Sequence, residues 1–286
     1  MDLRTAWKQG AARLRAAGIA SPVLAAARLL EHVLGCDRAW LYAHPEQPLE
    51  QAQLERFEEL VRRRAAGEPL QYLTGRQEFW GLEFEVTPAV LIPRPETEHV
   101  VEVTLERLGQ QRSRQQLRVL DVGTGSGCLA VALARELPRA RLWAVDLSAA
   151  ALQVAMRNAI RHGVADRILF VHGDGLEAFA DASLDVVVSN PPYVARSERE
   201  LLPREVAEHE PELAVFAGED GLAFYPRLIG GAARALAPGG LLVIELGAGL
   251  ADRVRAVCAG SLWEAITVTR DLAGIERVLA AQRRRE

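Results

Sequence analysis

Lysine is all but missing from this chain. Lys8 stands alone among 34 basic residues, so nearly every cation is a planar, permanently charged guanidinium. With abundant alanine, this points to a GC-rich coding sequence and carries no function by itself. Positive charge is not in excess either, since the formal net charge is -4 over 286 residues. Proteins that hold nucleic acid usually present a net basic face, so DNA or RNA is not favoured as a stable partner. The runs Arg62-Arg63-Arg64 and Arg283-Arg284-Arg285 read as solvated helix ends. Cysteine is sparse: Cys36, Cys128 and Cys258 lie far apart and none has metal-type paired spacing. They read as reduced, apolar fillers of a cytoplasmic protein, and no metal site is expected. No run approaches the roughly 18 apolar residues of a membrane span. Met1 to Lys8 reads as the start of an amphipathic helix rather than a signal peptide. Hydrophobic content of 49% and charged content of 25% are those of an ordinary globular protein, long enough for two domains.

Against that background stands Asn190-Pro191-Pro192-Tyr193, placed directly after the apolar run Leu184-Asp185-Val186-Val187-Val188. Neither proline has an N–H to give to a strand ladder, so the run must end there. Asn190 and Pro191 each precede a proline and are pushed toward extended geometry. The result is a stiff corner carrying an amide, a free carbonyl on Pro191 and a phenol ring. Two acceptors and an aromatic face suit a flat, conjugated NH2 group. Taken alone, the same four residues are a loop that ends a strand.

A second motif changes the weighting. Val119-Leu120-Asp121-Val122 leads into Gly123-Thr124-Gly125-Ser126-Gly127, and Cys128 to Leu137 then reads as a buried helix. Glycines allow a tight turn and close approach of backbone to a ligand. A second strand, Ala140 to Asp146, ends in a carboxylate about twenty residues beyond the glycines, where an acid can accept from both ribose hydroxyls of an adenosine. A nicotinamide dinucleotide remains an alternative at this point. The glycine loop, Asp146 and the proline corner in this order favour methyl transfer.

The rest of the chain frames these motifs. Residues 2–73 read as helices, with Gly18 closing the first, Ser21-Pro22 opening the second and a third from about Pro48 to Ala66. His32 and His44 are isolated and read as structural. Residues 76–92 read as a β-hairpin linker, with alternation over 78–86 followed by Ala89 to Ile92. Pro93-Arg94-Pro95-Glu96-Thr97-Glu98 opens a helix, and Arg94 and Glu96 are candidates for the edge of the site. Strands are expected near 117–122, 140–146, 167–172, 184–189 and 240–246, with helical patterns between them. That is a doubly wound α/β fold, whose ligands bind at the carboxyl ends of strands. The glycine loop, Asp146, Asp174 and Asn190 fall at such ends. Two further strands, 262–269 and 276–281, joined by a turn at Asp271–Gly274, fit an antiparallel hairpin that closes the sheet.

Over nearly its whole length the chain resembles class I S-adenosylmethionine-dependent methyltransferases, and more closely the HemK/PrmC family of protein-glutamine methyltransferases. The resemblance rests on Gly67-Glu68-Pro69-Leu70-Gln71-Tyr72, Phe79-Trp80-Gly81, Ile92 to Glu98, Asp121 to Gly127, Asn190 to Tyr193 and Gly218 to Leu222. It implies a seven-stranded, mostly parallel sheet over residues 93–286, preceded by a helical substrate-recognition domain over 1–75. It also implies contacts to S-adenosyl-L-methionine from Gly123, Thr124, Gly125, Ser126, Gly127, Asp146, Asp174, Gly175 and Asn190. Many relatives carry an aromatic residue where this chain has Gly175, which offers no ring to stack on the adenine. The implied substrate is the glutamine of the Gly-Gly-Gln motif in class 1 peptide chain release factors.

The expected chemistry at Asn190, Pro191, Pro192 and Tyr193 is positional. A carboxamide nitrogen is a poor nucleophile because its lone pair is delocalised. Asn190 Oδ1 and the Pro191 carbonyl can each accept one N–H, favouring a pyramidal nitrogen, while Tyr193 packs on the amide plane. Orientation of this kind contributes up to about 7–11 kcal/mol in ideal cases. Three rival readings are an N6-adenine methyltransferase, which must flip its base, a glutamine methyltransferase for a ribosomal protein, and a non-catalytic cofactor-binding scaffold. A monomer is expected, since no heptad or edge signal demands a dimer.

Overall fold

The computed structural model describes residues 1–110, 116–260 and 262–285. Its Cα positions group into two units, Met1–Arg76 with Pro203–His209, and Gln77–Leu202 with Glu210–Glu286. The first unit is helical: Leu3–Ala16, Pro22–Leu34, Arg38–Ala43, Gln51–Ala65 and Leu70–Thr74. Leu3, Leu14, Leu29, Leu30, Phe57 and Leu60 fill its core. Asp2 caps the first helix by accepting the Thr5 N–H at 2.8 Å. Pro22 does open the second helix, but Ser21 lies in the left-handed region and its hydroxyl makes no cap bond. The fourth begins at Gln51 rather than Pro48, because Gln53 Oε1 accepts the Glu50 N–H in a capping box.

The run Arg62-Arg63-Arg64 does form a helix end as read from sequence, with Arg62 exposed, but it is not solvated throughout. Arg62 pairs with Glu59 and Arg63 with Glu68. Arg64, itself buried, donates to the Glu68 carbonyl and pairs with Glu205 at 2.7 Å. Arg283 and Arg284 likewise donate to the carbonyls of Leu236 and Trp263, at the end of a strand rather than a helix.

A two-stranded sheet follows, made of β1 (Arg76–Phe79) and β2 (Leu82–Glu85). Trp80 and Gly81 connect them with φ of 55° and 65°, the two left-handed positions of the tight hairpin turn that matches strand twist. The alternation over 78–86 therefore folds back on itself, and residues 89–92 are not a strand. Pro95–Thr97 forms a 3-10 turn that leads into the helix Glu98–Leu108.

The main sheet holds β3 (Arg118–Val122), β4 (Arg141–Asp146), β5 (Ile168–His172), β6 (Leu184–Ser189), β7 (Leu236–Glu245), β8 (Trp263–Arg270) and β9 (Glu276–Arg283). Their order is β5-β4-β3-β6-β7-β9-β8. The pairs β3–β4, β3–β6, β4–β5 and β6–β7 are parallel, whereas β9 runs antiparallel to both β7 and β8. Residues 173–183 hold no helix, contrary to the expected alternation. β7 also starts earlier than residue 240. Its register jumps between Leu184↔Leu236 and Val186↔Leu241, so a bulge absorbs Pro238, which has no N–H to pair.

Strand periodicity decides which side each residue serves. Val119, Val186, Val188, Leu241 and Val243 face one core, with the helices Glu98–Leu108 and Cys128–Glu136 packed over it. Leu120, Val187, Leu242 and Ile244 face the other, covered by Phe224–Ala235 and Ala251–Val257. With both faces covered, the carboxyl ends of the strands are left for a ligand. The chain departs from β3 toward β4 on one side and β6 on the other, which opens a crevice between their ends.

Asn158, fully buried in the helix Ala149–Arg161, ties β2 to the glycine loop. Its Nδ2 donates to the carbonyls of Ser126 (2.9 Å) and Glu85 (3.0 Å), and its Oδ1 accepts the Glu85 N–H at 2.7 Å. Asn158→Leu leaves those groups unpaired and is expected to lower stability by about 2–4 kcal/mol. Urea unfolding checks this, and an unchanged midpoint would remove Asn158 from the anchoring role.

Candidate active site

A cavity of about 220 Å³ opens at the carboxyl ends of β3, β4, β5 and β6. The register brings those ends level: Val122 pairs with Val145 and Ser189, and Asp146 with His172. Ser189 Oγ donates to the Val122 carbonyl at 2.7 Å, clamping β6 to β3 one residue before the chain turns at Asn190. Gly123, Thr124, Gly125, Ser126, Asp146, Asp174, Gly175, Asn190, Pro191 and Pro192 all line the cavity. The structure thus brings together most of the residues singled out from sequence.

The glycine loop is held at both ends. The N–H groups of Gly123 and Thr124 donate to the Val145 carbonyl at 2.9 and 3.0 Å. Gly125 N–H donates to Asp146 Oδ2 at 2.9 Å, while Asp146 Oδ1 accepts from Ser148 N–H at 2.8 Å. Gly127 does not line the cavity, and its reason is packing. At φ 80° it starts the helix Cys128–Glu136, and a Cβ there would sit 3.0 Å from the Ala155 Cβ. Gly123 and Gly125 are different, because a Cβ on either has no side chain to meet.

The proline corner is anchored from residues distant in sequence. Asn190 Nδ2 donates to Thr97 Oγ1 at 2.9 Å, and Thr97 Oγ1 donates to Glu245 Oε2 at 2.6 Å. Tyr193 does not line the cavity. Its hydroxyl donates to Glu245 Oε1 at 3.3 Å, and a Cβ on Gly247 would come within 2.9 Å of its ring. The ring is therefore occupied in seating the corner rather than displayed on the cavity wall. Arg94 and Glu96 are not on that wall either; their neighbours Pro93 and Thr97 are. Arg94 pairs with the buried Glu210 at 2.5 Å, and Glu98 accepts the Trp80 N–H at 2.7 Å. Asp174 is bound to Arg227 at 2.6 Å. Leu147, Leu213, Phe224 and Leu228 give the cavity apolar surface that Gly175 lacks.

A protein-family model described as the PrmC N-terminal domain matches residues 5–75, and one described as the methyltransferase small domain matches residues 98–209. The release factor glutamine methyltransferase of Koribacter versatilis is 44% identical over 99% of this chain and 99% of its own. That of Moorella thermoacetica is 46% identical over 100% of both. The chain belongs to the release factor glutamine methyltransferase family. Among solved structures, the hMettl16 catalytic domain in complex with MAT2A 3'UTR hairpin 6 superposes with a TM-score of 0.56. It is 18% identical, over 80% of this chain and 82% of that one, and the likeness is one of fold.

Three residues of this glutamine methyltransferase family member lie at or directly behind the cavity wall although none of them is among the site candidates read from sequence. Asp121 is buried on the cavity wall, where its Oδ2 accepts from Thr124 Oγ1 (2.6 Å) and Ala130 N–H (3.2 Å). Its Oδ1 is buried with no partner. Its place at the head of the glycine motif was the available signal. Thr97 lay inside the quoted proline-rich segment, and Glu245 ends an apolar strand with nothing local to mark it. Cys128 also lines the cavity, and burial pushes its thiol up to about 12, which disfavours the thiolate.

Burial pushes the carboxyls of Asp121 and Glu245 up to about 7, opposed by hydrogen bonds from Thr124 and Thr97 respectively. In the unfolded chain such groups titrate near pH 4. Between the two values the folded protein holds protons that the unfolded chain has released. Each group therefore contributes stability that is present below about pH 4 and is lost as pH rises through about 7. Melting of the ligand-free protein is expected at falling temperature from about pH 6 to pH 8, with Glu245→Gln flattening the decline. A midpoint that rises over that interval contradicts the assignment.

Proposed function

We propose that this chain transfers a methyl group from S-adenosyl-L-methionine to the side-chain nitrogen of the Gly-Gly-Gln glutamine in class 1 peptide chain release factors. Asn190 carries the reading: its amide stands on the wall of the cavity bounded by the glycine loop and Asp146. Full-length identity to named release factor glutamine methyltransferases supports the choice of acceptor over adenine or a ribosomal protein.

The residues present suit the cofactor. The open space beside Gly123 and Gly125 leaves room for a ligand against the backbone. Asp121 Oδ1, buried and unpaired, is an acceptor without a donor, as an ammonium group in the cavity would supply. Each Asp146 oxygen accepts one backbone N–H and keeps a lone pair for a ribose hydroxyl. Leu147 and Phe224 offer the adenine an apolar surface in place of a ring at position 175. When bound, S-adenosylmethionine supplies an electrophilic methyl on a sulfonium.

The protein's part is alignment. Asn190 Oδ1 and the Pro191 carbonyl take the two hydrogens of the substrate amide and turn its lone pair toward the methyl. They also stabilise the positive charge that develops on nitrogen. Pro191 and Pro192 keep the corner rigid, and Tyr193 seats it from behind. No strong base is required before transfer, because the methylated amide is acidic enough to lose its proton to solvent. The helical residues 1–75 recognise the release factor, and the reaction takes place in the cytoplasm, in translation termination.

Mass spectrometry of a release factor incubated with the protein and S-adenosylmethionine is expected to show one added methyl on the Gly-Gly-Gln glutamine. An unmodified glutamine, or a methylated nucleic acid, would overturn the acceptor. Asn190→Ala is expected to cut kcat by about 10²–10³ with cofactor affinity nearly intact. Asp146→Ala is instead expected to weaken cofactor binding by about tenfold or more in calorimetry.

A further inference from the structure

An asparagine amide has two nearly isosteric orientations with oxygen and nitrogen exchanged. Only one of them presents an acceptor to a substrate NH2 group. Nothing within Asn190-Pro191-Pro192-Tyr193 selects between them. The selection has to come from whatever the other end of the amide meets, and that is Thr97, buried at 2% exposure.

We propose that Thr97 and Glu245 are positioning residues that fix the polarity of the Asn190 amide, obliging it to aim Oδ1 into the cavity. This rests on the functional reading above and goes beyond it by assigning the proline-rich segment a role in the chemistry. An ionised carboxylate has only acceptors. Thr97 has a single hydroxyl proton, and at 2.6 Å that proton is committed to Glu245 Oε2. Toward Asn190, Thr97 Oγ1 then has only lone pairs to offer. The amide must bring its NH2 to Thr97, at the observed 2.9 Å, and its oxygen goes to the opposite side. A reversed amide would set two oxygens against each other in a buried place.

Glu245 holds the other end of the corner as well, through the Tyr193 hydroxyl. One carboxylate thereby sets the two flanks of the paired prolines. Proton uptake by Glu245 would undo the selection. A protonated Glu245 can donate to Thr97 Oγ1, which frees the Thr97 proton for Asn190 Oδ1 and allows the amide to turn over. The titratable and charged groups around Glu245 are Tyr193, Tyr225 on the helix Phe224–Ala235, Glu96 beside Thr97, Cys128 and Arg277 on β9. Arg277 favours the ionised form and Glu96 opposes it.

The test uses the full chain, a release factor and saturating S-adenosylmethionine. Wild-type turnover comes first, since failure to methylate the release factor defeats the functional reading and not this assignment alone. Given wild-type turnover, Thr97→Val is expected to lower kcat by about ten- to a hundredfold, with KM for the release factor and calorimetric cofactor affinity within about threefold of wild type. Thr97→Ser, which restores the hydroxyl, is expected to recover most of the loss. Wild-type kcat is expected to rise as Glu245 ionises and then level off. Glu245→Gln, which can donate as well as accept, is expected to lower the plateau and remove that rise. Wild-type kcat in Thr97→Val, or no recovery in Thr97→Ser, overturns the proposal. If Thr97→Val does not fold, Glu245→Gln decides: a wild-type plateau with the rise intact overturns it equally.

Discussion

Everything at the site depends on a sheet whose faces are both covered. Valine and leucine alternate along β3, β6 and β7 so that neighbouring residues serve opposite cores, and neither face is left for a ligand. A parallel sheet built this way confines binding to the strand ends. There, backbone donors and acceptors that the ladder no longer uses become available. The Ser189 to Val122 bond clamps two of those ends together, so the proline corner leaves from a fixed point.

The site's electrostatics follow from the same burial. Two carboxyl groups, Asp121 and Glu245, are almost or wholly excluded from water, and burial pushes the pKa of both up to about 7. They differ in what surrounds them. Both Glu245 oxygens have donors, and the residue organises protein groups. Asp121 keeps one oxygen unpaired and so faces an unmet demand. A buried acceptor in this position favours a donor on the cavity side.

The motifs that lay within a few residues of one another were legible in the sequence. The glycine loop, Asp146 and the proline corner each carry a local signature, and the seven strands followed from period and punctuation. Contacts across the chain were not legible. Thr97 meets Asn190 over 93 residues and Glu245 over 148, and no spacing rule links them. The segment holding Thr97 could be read as helix-start chemistry, which it also is. Arg94 and Glu96 were the conspicuous residues there because they are charged, yet charge directed one of them to Glu210 and away from the cavity. Tyr193 was misplaced for a related reason. An aromatic ring beside a polar corner suggests stacking, whereas its hydroxyl found a buried acceptor behind the wall. The missing helix at 173–183 and the early start of β7 are tertiary outcomes that local propensity does not encode.

The placement of β9 between β7 and β8 has a bearing on how the protein is made. β8 is synthesised before β9 yet borders only β9 in the finished sheet. Until β9 emerges, β8 has no neighbour and β7 exposes an open row of backbone groups, an invitation to foreign strands. Sheet closure thus waits for β9, and it falls on the flank that carries Glu245. The nascent chain can complete its glycine loop well before it can complete the proline corner.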